Sequence, residues 1–278
     1  QLLEDLADNH KDKYATFWKE FGRVLKEGVG EDAANRERIA KLLRFATTHA
    51  DAGDENASLA AYVARMKAGQ DRIWYVTADS ILAAKSSPHL EVFRRKGIEV
   101  LLPGDRVDER VVSHPAEYEG KPLASVAKGD RDLGALESEA EKAEHRKQAE
   151  AAKGLVERIK AALGERVKDV RATSRLTDSP ACLVADAYDL GGNLQRILRS
   201  VGQDVPSFKP ILEVNPEHPM VLRLKDEEKR FGEWAQILFD QALLAEGGQL
   251  EDPAGFVKRL NALMLDLAGG ASRIWTPG

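Results

Sequence analysis

The residues of this chain that could carry catalysis or bind a metal are few and widely separated. The chain contains six histidines and one cysteine, and their spacing matches no metal-ligand motif. It contains no G-x-x-x-x-G-K-S/T phosphate loop, no strand-linked G-x-G-x-x-G, no H-E-x-x-H and no G-x-S-x-G. We therefore expect no catalytic, cofactor-binding or metal-binding residues. A Ser–His–Asp triad assembles in space rather than in sequence and stays open as an alternative that no residue singles out.

The individual candidates favour structural roles over chemical ones. His89 follows Ser87-Pro88, which predicts a histidine at a helix start that contacts backbone or water rather than a substrate. His218 lies between prolines, which predicts a turn. Cys182 lies in an apolar run and is expected to be a buried, inert thiol. Gly191-Gly192 could approach a phosphate closely, but a lone glycine pair more simply indicates a weakened first turn of the predicted helix.

Size and charge limit the class of protein. A chain of 278 residues predicts about two domains, and 43% hydrophobic residues are enough to build their cores. The formal net charge of −5 and the mixing of basic with acidic residues argue against a nucleic-acid partner. Apolar runs are too short to span a membrane. One cysteine indicates a reducing compartment, so we expect a cytoplasmic protein. The helical pattern at Gln1 predicts a fragment of a longer protein.

The first half of the chain predicts helices followed by a small α/β unit. One helix has its apolar face at Tyr14, Phe17, Trp18, Phe21, Val24 and Leu25 and is expected to end at Gly28 and Gly30. Further helices are expected near residues 35–48 and 59–68. Residues 72–77 and 98–102 are rich in β-branched and aromatic types, which predicts two strands. The helix between them should start at Ser87-Pro88 and stop at Gly97, as a right-handed parallel βαβ unit.

The second half predicts a mixed domain that ends in two helices. Residues 129–154 read as a solvated helix or linker, followed by a stripe of Leu155, Ile159 and Leu163 that ends at Gly164. Strands are expected at 167–172, 181–185 and 211–214, and a helix at 189–200. Apolar residues cover a large part of the surface of the two last helices. Two copies of such a pair could form a four-helix bundle around a twofold axis.

Short strings in a fixed order resemble the bacterial HtpG branch of the ninety-kilodalton heat-shock chaperones. The resemblance runs from about Leu2 to Leu267. The strings that carry it are Lys41–Phe45, Lys85–Glu91, Lys96–Leu102, Arg166–Arg171, Arg175–Ala181, Glu213–His218 and Leu238–Glu246. Each is modest alone, but together and in this order they are specific. The resemblance implies a stress-response chaperone that assists protein folding.

The resemblance implies an α+β fold that covers the end of a middle domain and a C-terminal dimerisation domain. We expect a helical segment at 1–57, a small α/β unit at 58–135, a linker helix at 136–163, a dimerisation domain at 164–268 and a tail at 269–278. The family's nucleotide pocket and catalytic arginine would lie outside this chain. No cofactor is therefore expected here, although the full-length parent would use ATP and Mg²⁺. The chain also lacks the Met-Glu-Glu-Val-Asp tail of cytosolic eukaryotic members.

The resemblance also implies two kinds of partner, a second copy of the chain and partly unfolded client proteins. The implied dimer interface lies on residues 227–246 and 252–267, at Phe231, Trp234, Leu238, Phe256, Leu260, Leu263, Met264 and Leu267. The implied client contacts are Arg110, Ser113, Leu190, Leu194, Ile197 and Leu198. Relatives carry Trp and Asn at the first two positions, and Arg110 and Ser113 depart from that pattern. An adaptable apolar surface suits clients that share only exposed apolar residues.

Two other functions remain open at this point. An α/β enzyme would need a closed concave pocket with convergent polar groups, whereas a chaperone needs an open apolar cleft. A purely structural dimerisation module would bury Leu190–Leu198, whereas a client surface would expose this helix. The glycine-rich tail should be anchored by Ile274 and Trp275 in an apolar groove, either of a neighbouring copy or of the same chain.

Overall fold

The computed structural model describes residues 1–49, 56–105, 107–113, 117–128, 133, 136–186, 192–200, 202–203 and 209–269. The predicted α+β class is confirmed. The helices are α1 (Leu2–Asn9), α2 (Lys11–Glu31), α3 (Arg36–Leu42), α4 (Leu59–Ala64), α5 (Ile81–Lys85), α6 (Glu91–Lys96), α7 (Asp108–Ser113), α8 (Glu139–Leu163), α9 (Gly192–Ser200), α10 (Pro219–Asp226), α11 (Phe231–Ala245) and α12 (Pro253–Gly269). The strands are β1 (Ile73–Tyr75), β2 (Glu117–Tyr118), β3 (Lys121–Ser125), β4 (Asp169–Ala172), β5 (Ala181–Val184) and β6 (Ile211–Val214). Within these ranges no helix is both long and apolar enough to cross a membrane.

The first long helix, α2, departs from its predicted end and from part of its predicted inward face. It continues through both glycines to Glu31. Its buried side is formed by Tyr14, Trp18, Gly22, Lys26 and Val29, whereas Phe21 and Val24 are exposed. Burial of Val29 beyond Gly28 shows why the glycines did not end the helix: packing continues along the same side. Contacts with the rest of the fold, rather than apolar character alone, selected the inward face.

The small α/β unit keeps the predicted parallel pairing but not all of the predicted strands. Residues 98–102 form a parallel bridge between Tyr75 and Leu101, which is too short to count as a strand. The parallel neighbour that forms a full ladder with β1 is β3, which also pairs with β2 in antiparallel fashion. The sequence did not indicate β3 because it carries Lys121 and Pro122, residue types that are depleted in strands. The helix predicted at 35–48 ends early, because residues after Leu42 form bridges to other segments.

The turn signals around the crossover are confirmed. The Ser87 side chain accepts a hydrogen bond from the backbone N–H of His89 at 3.3 Å, and Pro88 opens a short 3-10 turn that leads into α6. Gly97 ends α6 with a φ of +59°, a left-handed conformation that suits glycine. The helix entry at Ser87 therefore fixes where the buried His89 side chain lies.

The C-terminal unit forms as predicted around one sheet and α8. The sheet has the order β4-β6-β5, with β6 parallel to β4 and antiparallel to β5. Helix α8 starts with a capping box between Ser138 and Glu141 and ends at Gly164. Its predicted stripe, Leu155, Ile159 and Leu163, packs in one core with the sheet and α11. Helix α10 was not predicted, because two prolines around His218 suggested only a turn. Pro219 is in fact its first residue and His218 its cap.

One hydrophobic core crosses the predicted boundary at residue 57. It joins Tyr14 and Leu43 of the helical segment to Leu59 and Ile73 of the small α/β unit. A second core lies on the other side of β1, around Trp74 and Phe93. The C-terminal unit has its own core. The predicted domain boundaries stay predictions.

Candidate functional site

The predicted dimer residues on α11 and α12 divide into buried and accessible groups. Trp234, Leu238 and Leu263 are buried in the chain's own C-terminal core. Phe231, Phe256 and Leu260 are half-buried against the same core. Met264 is exposed, and the side chain of Leu267 lies outside the described residues. Fewer of the predicted residues are therefore accessible to a partner than the sequence suggested.

Helix α12 carries a second apolar face, of which only Met264 belongs to the predicted dimer set. Val257, Met264 and Leu265 are exposed by 51%, 59% and 71%, although the opposite face of the helix packs on the core. Leu244 on α11 is also exposed. Val257 and Met264 are seven residues apart, a spacing that places two apolar side chains on one side of a helix. The sequence alone does not show which of the apolar sides of α12 faces the core. Adjacent exposed apolar side chains of this kind mark an interaction surface.

The predicted client helix, α9, is neither buried nor fully exposed. Leu194, Ile197 and Leu198 are half-buried, and among the described residues they belong to none of the hydrophobic cores. Leu190 lies outside the described residues, as do Ile274 and Trp275 of the tail. The helix thus presents part of an apolar face to solvent.

The other predicted client element, α7, is joined to α2 by a buried ion pair. Lys26 Nζ lies 2.9 Å from Asp108 Oδ1, and both side chains are almost fully buried. Asp108 Oδ2 also accepts hydrogen bonds from the backbone N–H groups of Gly104 and Asp105, which anchors the start of α7. Arg110 lies two residues further along this helix and Ser113 at its end, and their side chains lie outside the described residues. Contact between either residue and a client stays a prediction.

A polar junction joins the small α/β unit to the C-terminal unit. The carboxylate of Glu91, at the start of α6, accepts hydrogen bonds from the backbone N–H groups of Thr177, Asp178 and Ser179 and from the Ser179 hydroxyl. Burial raises the pKa of this carboxyl, but the Ser179 hydroxyl and the three N–H groups outweigh burial and hold the pKa below its ordinary value. Arg95 adds a hydrogen bond to the carbonyl of Ser174 at 3.2 Å.

The second contact of the junction is an ion pair between His89 and Glu246. The Nε2 atom of His89 lies 2.9 Å from Oε1 of Glu246 without hydrogen-bond alignment, and the His89 side chain is buried. Burial disfavours the imidazolium, but Glu246 and the neighbouring Cys182 outweigh this and raise the pKa of His89 well above its ordinary value. The prediction that His89 contacts backbone or water is wrong, because the partner of its side chain is a carboxylate.

Cys182 is buried, as predicted, and burial raises the pKa of its thiol. A low-pKa thiolate, which a nucleophile needs, is therefore disfavoured. Its neighbour Glu213 is buried between Arg171 and Arg175. Burial raises the pKa of Glu213, but the two arginines outweigh it and hold the pKa below its ordinary value. These side chains satisfy one another at the sheet, which indicates a structural role.

A polar cavity of about 170 Å³ lies between α11 and α12. It is lined by Arg166, Gln236, Asp240, Leu250, Glu251, Asp252 and Arg259. Asp240 contacts Arg166 at 2.5 Å and Arg259 at 3.0 Å, so its carboxylate is already engaged by two guanidinium groups. In the described part of the chain, no group of three or more His, Cys, Asp or Glu could hold a metal ion. The cavity therefore resembles an internal ion-pair cluster more than a catalytic pocket.

Comparison with known proteins identifies the family of this chain. A family model described as Hsp90 protein matches residues 1–273. The chain belongs to the Hsp90 family. It is 65% identical over 274 residues to the chaperone protein HtpG of Aromatoleum aromaticum, which covers 97% of this chain and 42% of that protein. It is 62% identical over 267 residues to HtpG of Dechloromonas aromatica, covering 96% of this chain and 42% of that protein. HtpG of Nitrosospira multiformis is 65% identical over 268 residues.

This Hsp90-family chain spans about 42% of the length of the curated relatives that it matches. The resemblance drawn from the short strings is confirmed. One of those strings, Lys85–Glu91, carries the junction residues His89 and Glu91. The resemblance of this string to the family says nothing about what His89 and Glu91 contact. Their partners lie 86 or more residues away in the sequence, so only the structure shows them.

Proposed function

We propose that this chain is the dimerising, client-contacting part of a chaperone. The observation that carries the proposal is α9, whose Leu194, Ile197 and Leu198 are partly open to solvent on a helix outside the hydrophobic cores of the described chain. Water disfavours such a surface, so its presence on a folded protein favours a binding role. Partly unfolded clients offer the apolar side chains that would cover it.

The exposed face of α12 supports a homodimer. Val257, Met264 and Leu265 lie on the side of the helix that faces away from the chain's own core. In a dimer built around a twofold axis, the same face of a second copy would cover this one. Two client helices on one dimer would then border a shared cleft. A purely structural module has no use for a half-exposed apolar helix at this place.

We further propose that the chain has no catalytic activity of its own and needs no cofactor. Its sequence contains no phosphate-binding loop, and in the polar cavity between α11 and α12 the carboxylate of Asp240 is paired with Arg166 and Arg259. ATP and Mg²⁺ would act in the full-length parent. We also propose a cytoplasmic location, a view supported by the single buried thiol, with neither nucleic acid nor membrane as a partner.

The test is the affinity of the chain for a labelled, permanently unfolded polypeptide, measured by fluorescence anisotropy. Ile197→Asn combined with Leu198→Asn should weaken binding at least about tenfold, because each change removes apolar surface worth about 1–2 kcal/mol when buried. Leu222→Asn is the matched control, because Leu222 is 48% exposed on α10, away from the proposed surface. A wild-type chain that does not bind the polypeptide, or a double variant that binds as well as wild type, would contradict the proposal.

A further inference from the structure

Arg196 joins the client helix α9 to two other parts of the fold. Its Nη1 donates a hydrogen bond to the backbone carbonyl of Glu246 at 2.9 Å, at the end of α11. Its Nη2 lies 3.4 Å from Oδ2 of Asp79, which precedes α5 in the small α/β unit. One guanidinium therefore contacts the helix of the proposed dimer interface and the small unit at the same time.

The end of α11 is shaped to receive this side chain. The last carbonyls of a helix have no partner within the helix and carry partial negative charge, which suits a guanidinium. Gly247, the next residue, has a φ of +72°. A Cβ at this position would lie 3.3 Å from Arg196 Nη2 and 3.4 Å from Asp79 Oδ2. A glycine is thus suited both to the left-handed turn and to the close approach of the ion pair.

Glu246 is contacted from two directions. Its backbone carbonyl accepts the hydrogen bond from Arg196, while its carboxylate forms the ion pair with His89 of the small unit. A change in the position of the small unit relative to α11 would therefore act on the contacts of α9 through Glu246 and through Asp79. Arg196 thus attaches the client helix to the place where the two units meet.

We propose that Arg196 is a positioning residue that holds α9 against the junction between the small α/β unit and α11, so that client binding on α9 depends on how that junction is closed. The inference rests on the proposed function, because it assumes that α9 contacts clients. Arg196 acts through the placement of Leu194, Ile197 and Leu198. A helix already held in position loses less conformational freedom when a client binds.

The main variant is Arg196→Ala, measured with the same labelled unfolded polypeptide. We expect affinity to fall about three- to tenfold, the range that corresponds to the loss of one or two hydrogen bonds. Hydrogen exchange of the α9 backbone amides should become faster, because the helix loses its attachment. Arg196→Lys, which keeps the positive charge but carries it on a single nitrogen, should lie between wild type and Arg196→Ala in both measurements.

The matched control is Arg95→Ala. Arg95 also donates to a backbone carbonyl across the same junction, that of Ser174, but its described contact does not involve α9. Because Arg95→Ala removes one contact of the junction without a described contact to α9, it should change client affinity and α9 exchange less than Arg196→Ala does. If Arg95→Ala weakens binding as much as Arg196→Ala does, the effect belongs to the junction in general and the assignment to Arg196 is overturned.

A second series tests whether Arg196 acts with Asp79. Asp79→Lys places a like charge against the guanidinium and should weaken client binding. Combined with Arg196→Ala, it should cause no further loss, because the repelled group is gone. Additive losses would overturn the proposed coupling to the small unit.

Failure of the proposed function gives a different pattern, since in that case Ile197→Asn with Leu198→Asn has no effect either. If that variant loses affinity while Arg196→Ala binds and exchanges like wild type, only the present inference fails.

Discussion

Ser179 donates both its hydroxyl and its backbone N–H to the carboxylate of Glu91, which lies 88 residues earlier in the chain. The N–H groups of Thr177 and Asp178 converge on the same carboxylate. The loop between β4 and β5 therefore forms a small anion-binding concavity, and the anion that fills it is a side chain of the neighbouring unit. Much of the polar contact between the small α/β unit and the C-terminal unit depends on this one carboxylate.

Glu91→Gln tests the strength of that contact. The amide keeps the shape of the side chain, but it has no charge and must turn an NH₂ group toward backbone donors or solvent. We expect a loss of about 1–3 kcal/mol in the free energy of unfolding, measured with urea. Glu165→Gln is the control, because Glu165 is 94% exposed in its pair with Lys209 and should change stability by less than about 0.5 kcal/mol. Equal effects of the two variants would contradict the assigned role of Glu91.

The His89–Glu246 pair predicts a dependence of stability on pH. The pKa of His89 is raised in the folded chain, so between its ordinary value and the raised value the folded state binds more protons than the unfolded state. The stabilisation should be complete below about pH 6.5, the ordinary pKa of histidine, and should be lost as the pH rises through the raised pKa. Unfolding free energies measured across this range should show that fall.

His89→Gln and Glu246→Gln should each remove this part of the pH profile, since each removes one member of the same pair. If either variant keeps the wild-type slope, another group is responsible. If both variants lose the same part of the profile, the pair is responsible, because His89 and Glu246 lie in different units of the fold and share this contact.

The buried Lys26–Asp108 pair offers a comparison with an exposed pair of the same residue types. Lys26→Met leaves the carboxylate of Asp108 buried without its cation and should cost about 3–5 kcal/mol in unfolding free energy. Lys160→Met breaks a pair with Asp169 in which both side chains are 50% exposed, and should cost about 0–1 kcal/mol. Similar losses in urea unfolding would show that burial of the Lys26–Asp108 pair has no energetic consequence.

Two helical glycines should respond to alanine with opposite signs. At Gly22 a Cβ would lie 2.8 Å from the ring of the buried Trp18, so Gly22→Ala should destabilise the chain by about 1–3 kcal/mol. At Gly154 on α8 a Cβ would meet no atom within 4 Å, so Gly154→Ala should stabilise it by about 0.5–1 kcal/mol. Thermal unfolding midpoints give the signs directly, and a stabilising Gly22→Ala would contradict the tight packing of α2.

The proposed dimer can be tested on side chains that the chain's own core does not use. Met264→Asp with Leu265→Asp should convert a dimer of about twice 30.6 kDa into a monomer in light scattering across a dilution series. Leu263 is unsuitable for this purpose, because it is buried at 4% exposure and a charge there would disturb the fold. The control is Leu82→Asp, at a leucine that is 75% exposed on α5. A wild-type monomer at all concentrations would remove the basis for the homodimer.

Local sequence determined those features whose physical cause is local. Ser87-Pro88 and Gly97 set the ends of the helical stretch that contains α6, and Gly164 ended α8, because capping groups and backbone freedom act within a few residues. The three strands of the C-terminal sheet were predicted close to their observed bounds, and β5 is a short apolar run. The ordered strings also identified the family, because many short matches in sequence are specific even when each is weak.

The tertiary structure decided which faces are buried and which polar groups meet. Periodicity showed that α2 and α12 are amphipathic, but it could not show that Phe21 is exposed or that Met264 faces away from the core. Burial depends on what lies opposite a helix, and those elements come from distant parts of the chain. The partners of Glu91, His89 and Arg196 lie across the junction for the same reason. The sequence by itself therefore determined the family and those elements whose signals are local, whereas long-range packing determined β3, the surfaces and the junction from which we infer function.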